Sequence, residues 1–358
     1  MAGLPFLACM TFPEEGALVP VMKLLSLALH FAATIMLAAC PAAFAQAANP
    51  SRSIEDLDSL SLASSQLHPD PPELVEKDVE PEYISEWIKV QWRTDDPIYL
   101  YVVRPTNVPT KPPVVIYLYD YPAETDIFRD SDWCEHVTAG GYAAVGLVPA
   151  LNGQRYHGRP MKEWFVSELQ EALAKSAHDV QMVLNYLAER GDVDMNNLGI
   201  FGVGAGATIA VAAASADSRI KAIDLVAPWG NWPAWMAKSD VIPEEERSRF
   251  IKPDFLKQIS AFDPVSLLPT LTTPRVRLNQ FAENSSTPAD ASSKIESALP
   301  PGAERRRLTS GAQFDPMVAA GGHDFDWLKL QLKIQEQPGS KRTSGGTSGD
   351  RQPGSRKK

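Results

Sequence analysis

The sequence is poor in cysteine: Cys9, Cys40 and Cys134 are the only three in 358 residues. Two of them lie within the first 45 residues, so a chain processed after this segment keeps Cys134 alone. A single cysteine cannot form an internal disulfide, so the fold has to be stabilised by a hydrophobic core. Basic residues are not in excess either. The net charge of −10 argues against a general nucleic-acid binder.

Residues 1–45 have the composition of an export leader. A second methionine, Met22, precedes Lys23 and an apolar run over residues 24–39. The small residues of Ala43-Phe44-Ala45 then match the cleavage site of a signal peptide. This order predicts a secretory signal that starts at Met22. The apolar run is too short for a permanent transmembrane helix. We therefore expect an exported protein, periplasmic or secreted, whose mature chain begins at Gln46.

A second processing site overlaps the first one. Leu37-Ala38-Ala39-Cys40 resembles a bacterial lipobox, in which the cysteine becomes lipidated and anchors the mature chain. Cleavage after Ala45 is the favoured prediction, and a lipoprotein anchored to a membrane through Cys40 is the alternative.

Composition divides the rest of the chain into three parts. Residues 46–81 are rich in Ser, Asp, Glu and Pro and predict an acidic disordered tether. Residues 82–335 are long enough for one large α/β domain, with a lid-like insertion over residues 228–264. Residues 336–358 are dominated by Gly, Ser, Lys and Arg and predict a basic disordered tail.

Two kinds of strand pattern occur in the predicted domain. Residues 84–92 alternate apolar and polar side chains and predict an antiparallel hairpin with residues 98–105. Continuous apolar runs, typical of strands buried on both faces of a parallel sheet, cover residues 114–119, 142–148, 198–203 and 220–227. Weaker strands are expected over residues 274–281 and 305–308. Helices are expected over residues 133–138, 162–190, 288–299 and 325–334, and after residue 204.

Strands that alternate with helices predict an α/β fold. The expected architecture is a mostly parallel twisted sheet with helices on both faces and an antiparallel N-terminal hairpin. Its centre is a glycine-rich break over residues 202–206, where the strand 198–203 meets an Ala-rich helix.

Four landmarks make the chain resemble the α/β-hydrolase superfamily, in particular dienelactone-hydrolase-like and esterase-like members. They are the strand that ends at Tyr119, the Gly-x-Gly-x-Gly frame over residues 202–206, Asp263-Pro264 before a late strand, and the stretch 321–325 around His323. They occur in the order that the family requires, and the likeness covers residues 82–335. The resemblance implies an α/β-hydrolase fold with neither metal nor cofactor.

The resemblance also assigns the catalytic positions, in the chain order nucleophile, acid and histidine. The nucleophile position falls on Gly204, which has no hydroxyl or thiol, and the histidine position falls on His323. The acid position aligns with Asn284, whereas Glu283 is the nearest carboxylate. Backbone N–H groups of Ala205 and Asp120 would form the oxyanion site.

No other side chain offers a replacement nucleophile in the required place: Thr208, Ser215 and Ser218 lie along the elbow helix, and Cys134 lies on another helix. Trp229, Trp232 and Trp235 in the insertion either pack against the sheet, which we favour, or roof an apolar pocket.

The leading hypothesis is an exported binding or scaffold protein that has lost serine-hydrolase chemistry, with a small carbonyl or ester compound as its ligand. One alternative is hydrolysis of esters or lactones with His323 as general base, alone or with Glu283, and without a covalent serine intermediate. Another is a conventional esterase whose active serine lies elsewhere.

Overall fold

The computed structural model describes residues 55–94, 96–120, 125–151, 155, 169–309 and 326–333. The strands are β1 (Glu73–Val79), β2 (Tyr83–Val90), β3 (Ile98–Pro105), β4 (Pro113–Leu118), β5 (Ala143–Leu147), β6 (Asp194–Val203), β7 (Ile220–Val226), β8 (Arg275–Phe281) and β9 (Glu304–Leu308). Within the described residues they form one nine-stranded sheet in the order β1-β2-β3-β5-β4-β6-β7-β8-β9.

Helices connect the parallel strands. They are α1 (Ser131–Thr138), α2 (Leu169–Arg190), α3 (Ala205–Ala216), α4 (Trp232–Lys238), α5 (Glu244–Phe250), α6 (Pro253–Ile259), α7 (Pro264–Leu267), α8 (Ala289–Ser297) and α9 (Asp326–Lys333). The first seven residues of the helix predicted over 162–190 lie outside the described residues. From β4 to β9 all neighbouring strands pair in parallel, because a helix carries the chain back before each new strand.

The sheet is covered on both faces. Val114 and Ile116 of β4 belong to one buried cluster together with residues of α2 and α3. Val115 and Tyr117 point to the other face and belong to a second cluster with residues of α1 and α9. Burial on both faces explains why the central strands are continuous apolar runs. The predicted α/β architecture, including the antiparallel hairpin of β2 and β3, is confirmed.

The prediction of a disordered tether over residues 46–81 is wrong for the part that the structure describes. β1 pairs antiparallel with β2. Glu55 forms an ion pair of 2.6 Å with Arg93, a buried residue of the β2–β3 connection. Six of the seven residues of β1 are exposed, as an outer strand allows. The apolar alternation that reveals a half-buried strand is therefore absent from its sequence.

The insertion over residues 228–264 is helical and well packed. Trp229, Trp232 and Trp235 are at most 1% exposed, and Trp235 lies with its ring centroid 5.0 Å from that of Trp229 and 5.7 Å from that of Trp232. The three indoles belong to the same buried cluster as the helices α2 and α3. This cluster also contains Ile223 and Leu225 of β7, which agrees with the favoured prediction that the three side chains pack against the sheet.

Other predictions fall outside the described residues. These are the leader over residues 1–45 with its rival site at Cys40, the basic tail over residues 336–358, and His323. In the described ranges, no helix combines the length and the apolar composition needed to span a bilayer.

Candidate active site

The strand-to-helix turn after β6 has the backbone of a nucleophile elbow. Val203 ends β6, Ala205 begins α3, and Gly204 between them has φ 53° and ψ −115°. The N–H of Gly204 donates to the carbonyl of Val226 on the neighbouring strand (2.8 Å). Residues other than glycine rarely adopt this conformation, which costs them about 1–3 kcal/mol. Gly204 therefore fits the turn without strain.

The two flanking glycines are required by close packing of backbone. A Cβ atom on Gly202 would lie 2.6 Å from the Cα of Ala207, and one on Gly206 would lie 2.0 Å from the carbonyl oxygen of Leu118. In both cases the obstacle is backbone, which cannot move aside as a side-chain end can. Glycine is therefore needed at positions 202 and 206 because α3 approaches β4 and β6 closely.

The carboxylate of Asp120 lies where a nucleophilic side chain would begin. An ideal Cβ atom on Gly204 would lie 2.0 Å from the Cγ of Asp120 and 2.0 Å from its Oδ2. The Oδ1 of Asp120 accepts a hydrogen bond of 2.8 Å from the backbone N–H of Ala205. Asp120 reaches this place because it follows β4, which is the immediate neighbour of β6 in the sheet. The side-chain volume that Gly204 leaves empty is therefore filled by an acid from another loop.

The loop after β8 contains the two candidates for the acid position. Glu283 is exposed. The Oδ1 of Asn284 accepts hydrogen bonds from the backbone N–H groups of Ser286 (3.0 Å) and Thr287 (3.3 Å). Asn284 thus shapes the turn that leads to α8. Since His323 lies outside the described residues, its pairing with either candidate stays a prediction.

Comparisons with known proteins bear on this arrangement. The sequence model of the dienelactone hydrolase family matches residues 98–240, a segment that runs from β3 through the elbow to the insertion. No curated protein sequence matches the chain. The chain has a dienelactone-hydrolase-like α/β-hydrolase fold.

Solved structures show the same fold at low sequence identity. The acetyl xylan esterase of Paenibacillus sp. R4 is 16% identical, with a TM-score of 0.57 over 74% of this chain and 89% of that one. Acetyl xylan esterase 1 of Thermoanaerobacterium sp. JW/SL YS485 is 14% identical, with a TM-score of 0.51 over 70% and 88%. An S-formylglutathione hydrolase of Agrobacterium tumefaciens is 14% identical, with a TM-score of 0.52 over 73% and 98%.

Within the hydrolase fold, the side chain of Asp120 changes the chemistry of the predicted oxyanion site. The first N–H groups of a helix attract negative charge, and in this α/β-hydrolase fold they face the elbow. The N–H of Ala205 already donates to an internal carboxylate. A substrate carbonyl oxygen would have to displace a charged acceptor from this donor. The pair of backbone donors inferred from the resemblance, Ala205 and Asp120, stays a prediction.

Three of the four side chains weighed as replacement nucleophiles have internal hydrogen-bond partners: Thr208, Ser215 and Cys134. Thr208 is fully buried, and its Oγ1 donates to the carbonyl of Trp229 (2.7 Å). The Oγ of Ser215 donates to the carbonyl of Ala212 (2.7 Å). Cys134 is buried, which raises the pKa of its thiol to about 12. Neutral, internally bonded groups of this kind are poor nucleophiles.

In this hydrolase-like domain the carboxylate of Asp263 binds backbone N–H groups near both ends of the insertion. Its two carboxylate oxygens accept hydrogen bonds from the N–H groups of Asn231 (2.8 Å), Trp232 (2.9 Å) and Val265 (2.9 Å). Burial raises the pKa of Asp263 although these three donors favour its charged form. Asp263, one of the four landmarks in the sequence, thus caps the N-termini of both α4 and α7.

Sequence reasoning assigned Asp120 only a backbone role and missed its side chain. One signal was available: an acidic residue follows the apolar run 114–119 at the end where parallel strands carry their functional loops. Its approach to Gly204 depends on the order of the strands in space.

Proposed function

We propose that this exported α/β-hydrolase-fold protein has lost serine-hydrolase chemistry and acts by binding, or as a scaffold. The observation that supports the proposal most strongly is the pair Gly204 and Asp120. Glycine offers no atom that could form an acyl-enzyme, and a carboxylate lies in the volume of the missing side chain. Loss of the nucleophile in serine hydrolases lowers turnover by a factor on the order of 10⁶.

The ligand that we propose for the elbow is a small carbonyl or ester compound. The fold supports this class, because related sites are shaped around a carbonyl group. The hydrogen bond from Ala205 to Asp120 opposes it, because the ligand has to compete with an internal anion. We therefore expect weak binding in which the ligand replaces the Asp120 carboxylate at the N-terminus of α3.

A second candidate function is hydrolysis of esters or lactones through an activated water molecule. It is favoured by the carboxylate of Asp120, whose oxygens lie at the elbow and can accept a hydrogen bond from a water molecule held there for the base. In this proposal His323 is the general base, alone or with Glu283.

Purified protein tests both proposals with p-nitrophenyl acetate and with a fluorophosphonate probe that labels active serines. The leading proposal expects neither turnover above the buffer rate nor covalent labelling. Turnover without labelling, lost in His323→Ala, would establish the second candidate. Turnover with a labelled serine, both abolished by His323→Ala, would overturn the two proposals and restore a conventional esterase.

Export is tested separately, by the mass and N-terminal sequence of the mature protein recovered from a bacterial envelope. The leading proposal expects a chain that begins at Gln46. A lipidated Cys40 at the N-terminus would establish the lipoprotein alternative, and Cys40→Ala should then release the protein from the membrane fraction. An unprocessed chain in the cytoplasm would overturn export.

A further inference from the structure

A large cavity lies between the N-terminal arm, defined here as residues 62–72, and the outer side of α2. Its volume is about 860 Å³. Pockets that bind drug-sized molecules generally have volumes of about 300–1,000 Å³. None of its lining residues in the described part of the chain belongs to the elbow or to the loop after β8. The cavity is thus a feature separate from the candidate active site.

The inner wall of the cavity is apolar. It includes Leu67 on the arm, Val90 and Trp92 at the end of β2, and Met182 on α2. All four are buried, with exposures of 4–8%. The indole N–H of Trp92 donates to Asp179 (2.9 Å), which holds the ring in place where it lines the cavity. A rigid aromatic and aliphatic wall favours an apolar molecular body.

The rim of the cavity is polar, and its positive charges are already neutralised. Arg190 forms hydrogen bonds of 2.9 Å and 2.8 Å with the carboxylate of Asp192 and a further ion pair with Glu86. Arg219 forms an ion pair of 2.6 Å with Asp217. The three carboxylates that bind these guanidiniums do not line the cavity. An anionic ligand would gain little from arginines that are already paired.

The acidic side chains of the lining lie at its exposed rim. Asp70 of the arm and Glu189 of α2 both line the cavity, and both are exposed. Because the two arginines are balanced by carboxylates outside the lining, Asp70 and Glu189 leave negative charge at the rim, where water screens it. The buried wall of the cavity carries no charged side chain. The lining is therefore suited to an uncharged molecule, with polar groups at the rim available for hydrogen bonds.

The arm that forms one wall of the cavity is held in place by hydrogen bonds, so the cavity exists before any ligand arrives. The amide of Gln181 on α2 accepts from the N–H of Leu62 (2.9 Å) and donates to the carbonyl of Leu60 (2.7 Å). The N–H of Asp70 donates to the carbonyl of Gln91 (2.7 Å), and residues 69–72 contain three prolines that stiffen the rim. A preformed site avoids the cost of ordering its walls on binding.

We infer that this cavity is a second binding site, which takes an uncharged molecule with an apolar aromatic or aliphatic body. The inference does not depend on the proposed function of the elbow, because the two regions share no lining residue among the described ones.

A pair of fluorescent probes with the same ring system tests the charge preference. N-phenyl-1-naphthylamine is uncharged, and 1-anilinonaphthalene-8-sulfonate carries one added sulfonate. We expect saturable binding of the uncharged probe with one site per chain, and binding at least about tenfold weaker for the sulfonate, a difference of about 1.4 kcal/mol. Equal or tighter binding of the sulfonate would overturn the assigned ligand class.

Two neighbouring substitutions on the arm test the location. Ala63 and Ser64 are both exposed, but only Ala63 lines the cavity. Ala63→Trp places a large ring in the cavity and should weaken binding of N-phenyl-1-naphthylamine at least about tenfold. Ser64→Trp, the matched control, should leave it unchanged. Absence of saturable binding, or an equal effect of the two substitutions, would overturn the site.

Discussion

The Oδ1 of Asp120 accepts a 2.8 Å hydrogen bond from the backbone N–H of Ala205 and thereby caps the helix that follows the elbow. The same carboxylate fills the space beside Gly204 in which a serine side chain would start. The absence of a nucleophile is thus accompanied by a compensating side chain from a neighbouring loop. We therefore expect that a serine at position 204 alone does not create a working serine-hydrolase site.

Gly204→Ala should destabilise the fold more than Gly302→Ala does. Both glycines have positive φ, 53° and 85°, so both substitutions strain the backbone by about 1–3 kcal/mol. A Cβ atom on Gly302 would meet nothing within 4 Å, whereas one on Gly204 would collide with Asp120. Displacing that carboxylate loses a hydrogen bond, for which we expect about 1 kcal/mol more. Urea unfolding of the two variants measures the difference.

A double-mutant cycle isolates the contribution of Asp120 to this difference. In an Asp120→Ala background the collision is absent, so Gly204→Ala should cost less free energy of unfolding than it does in the natural sequence. Strictly additive effects would show that the carboxylate and the glycine do not compete for the same space.

Restoring a serine should require the removal of Asp120. Gly204→Ser alone places a hydroxyl against the carboxylate, while the N–H of Ala205 stays engaged. In Gly204→Ser/Asp120→Ala both obstacles are gone, so we expect labelling by a fluorophosphonate at least about tenfold faster than in the single variant, a barrier difference of about 1.4 kcal/mol. Rates are read from intact-protein mass spectra.

The control for this experiment is Gly204→Ala/Asp120→Ala, which has the same open space but no hydroxyl and should not be labelled. If Gly204→Ser is labelled as fast as the double variant, Asp120 does not obstruct the site.

Asp179 should be a main determinant of stability at low pH. It is fully buried on α2, where burial raises its pKa, but ion pairs with Arg155 (2.5 Å) and Arg93 outweigh this effect and hold the pKa below its ordinary value of 3.8. A lowered pKa in the folded state stabilises the protein above about pH 4, and this contribution disappears as the pH falls through the folded-state pKa.

The variant Asp179→Asn should therefore cost about 3 kcal/mol near pH 7, because it leaves two buried guanidiniums without this partner, and its stability should change less with pH below 4. The matched control is Asp290→Asn, which removes an exposed ion pair with Lys238 and should cost less than about 1 kcal/mol. Urea titrations at several pH values supply both numbers. Similar costs for the two variants would contradict the role assigned to Asp179.

The thiol of Cys134 should be unreactive in the folded protein. Burial raises its pKa to about 12, its side chain is 2% exposed, and its Sγ lies 3.7 Å from the carbonyl oxygen of Phe128, to which it donates. At pH 8 the number of thiols that react rapidly with Ellman's reagent should be the same in the natural protein and in Cys134→Ala. In guanidinium chloride the natural protein should show one more. A rapid native difference between the two would contradict the packing around α1.

The sequence by itself determined the order and type of the central elements. β4 corresponds to the continuous apolar run over residues 114–119, because a strand buried on both faces is apolar throughout. β2 corresponds to the alternating pattern over residues 84–92, because a strand buried on one face has an apolar side chain at every second position. It did not reveal β1, whose exposed side chains leave no such mark. Glu283 and His323 remain predictions from the resemblance.

Tertiary structure decided what fills the elbow. Residues 120 and 204 are far apart in the chain, and their contact exists because β4 and β6 are neighbours in the sheet although β5 lies between them in sequence. The same holds for the arm over α2, where Gln181 bonds to Leu62 across 119 positions. Local patterns record which side chains are buried, but which distant residues share a site depends on the order in which strands pair in space.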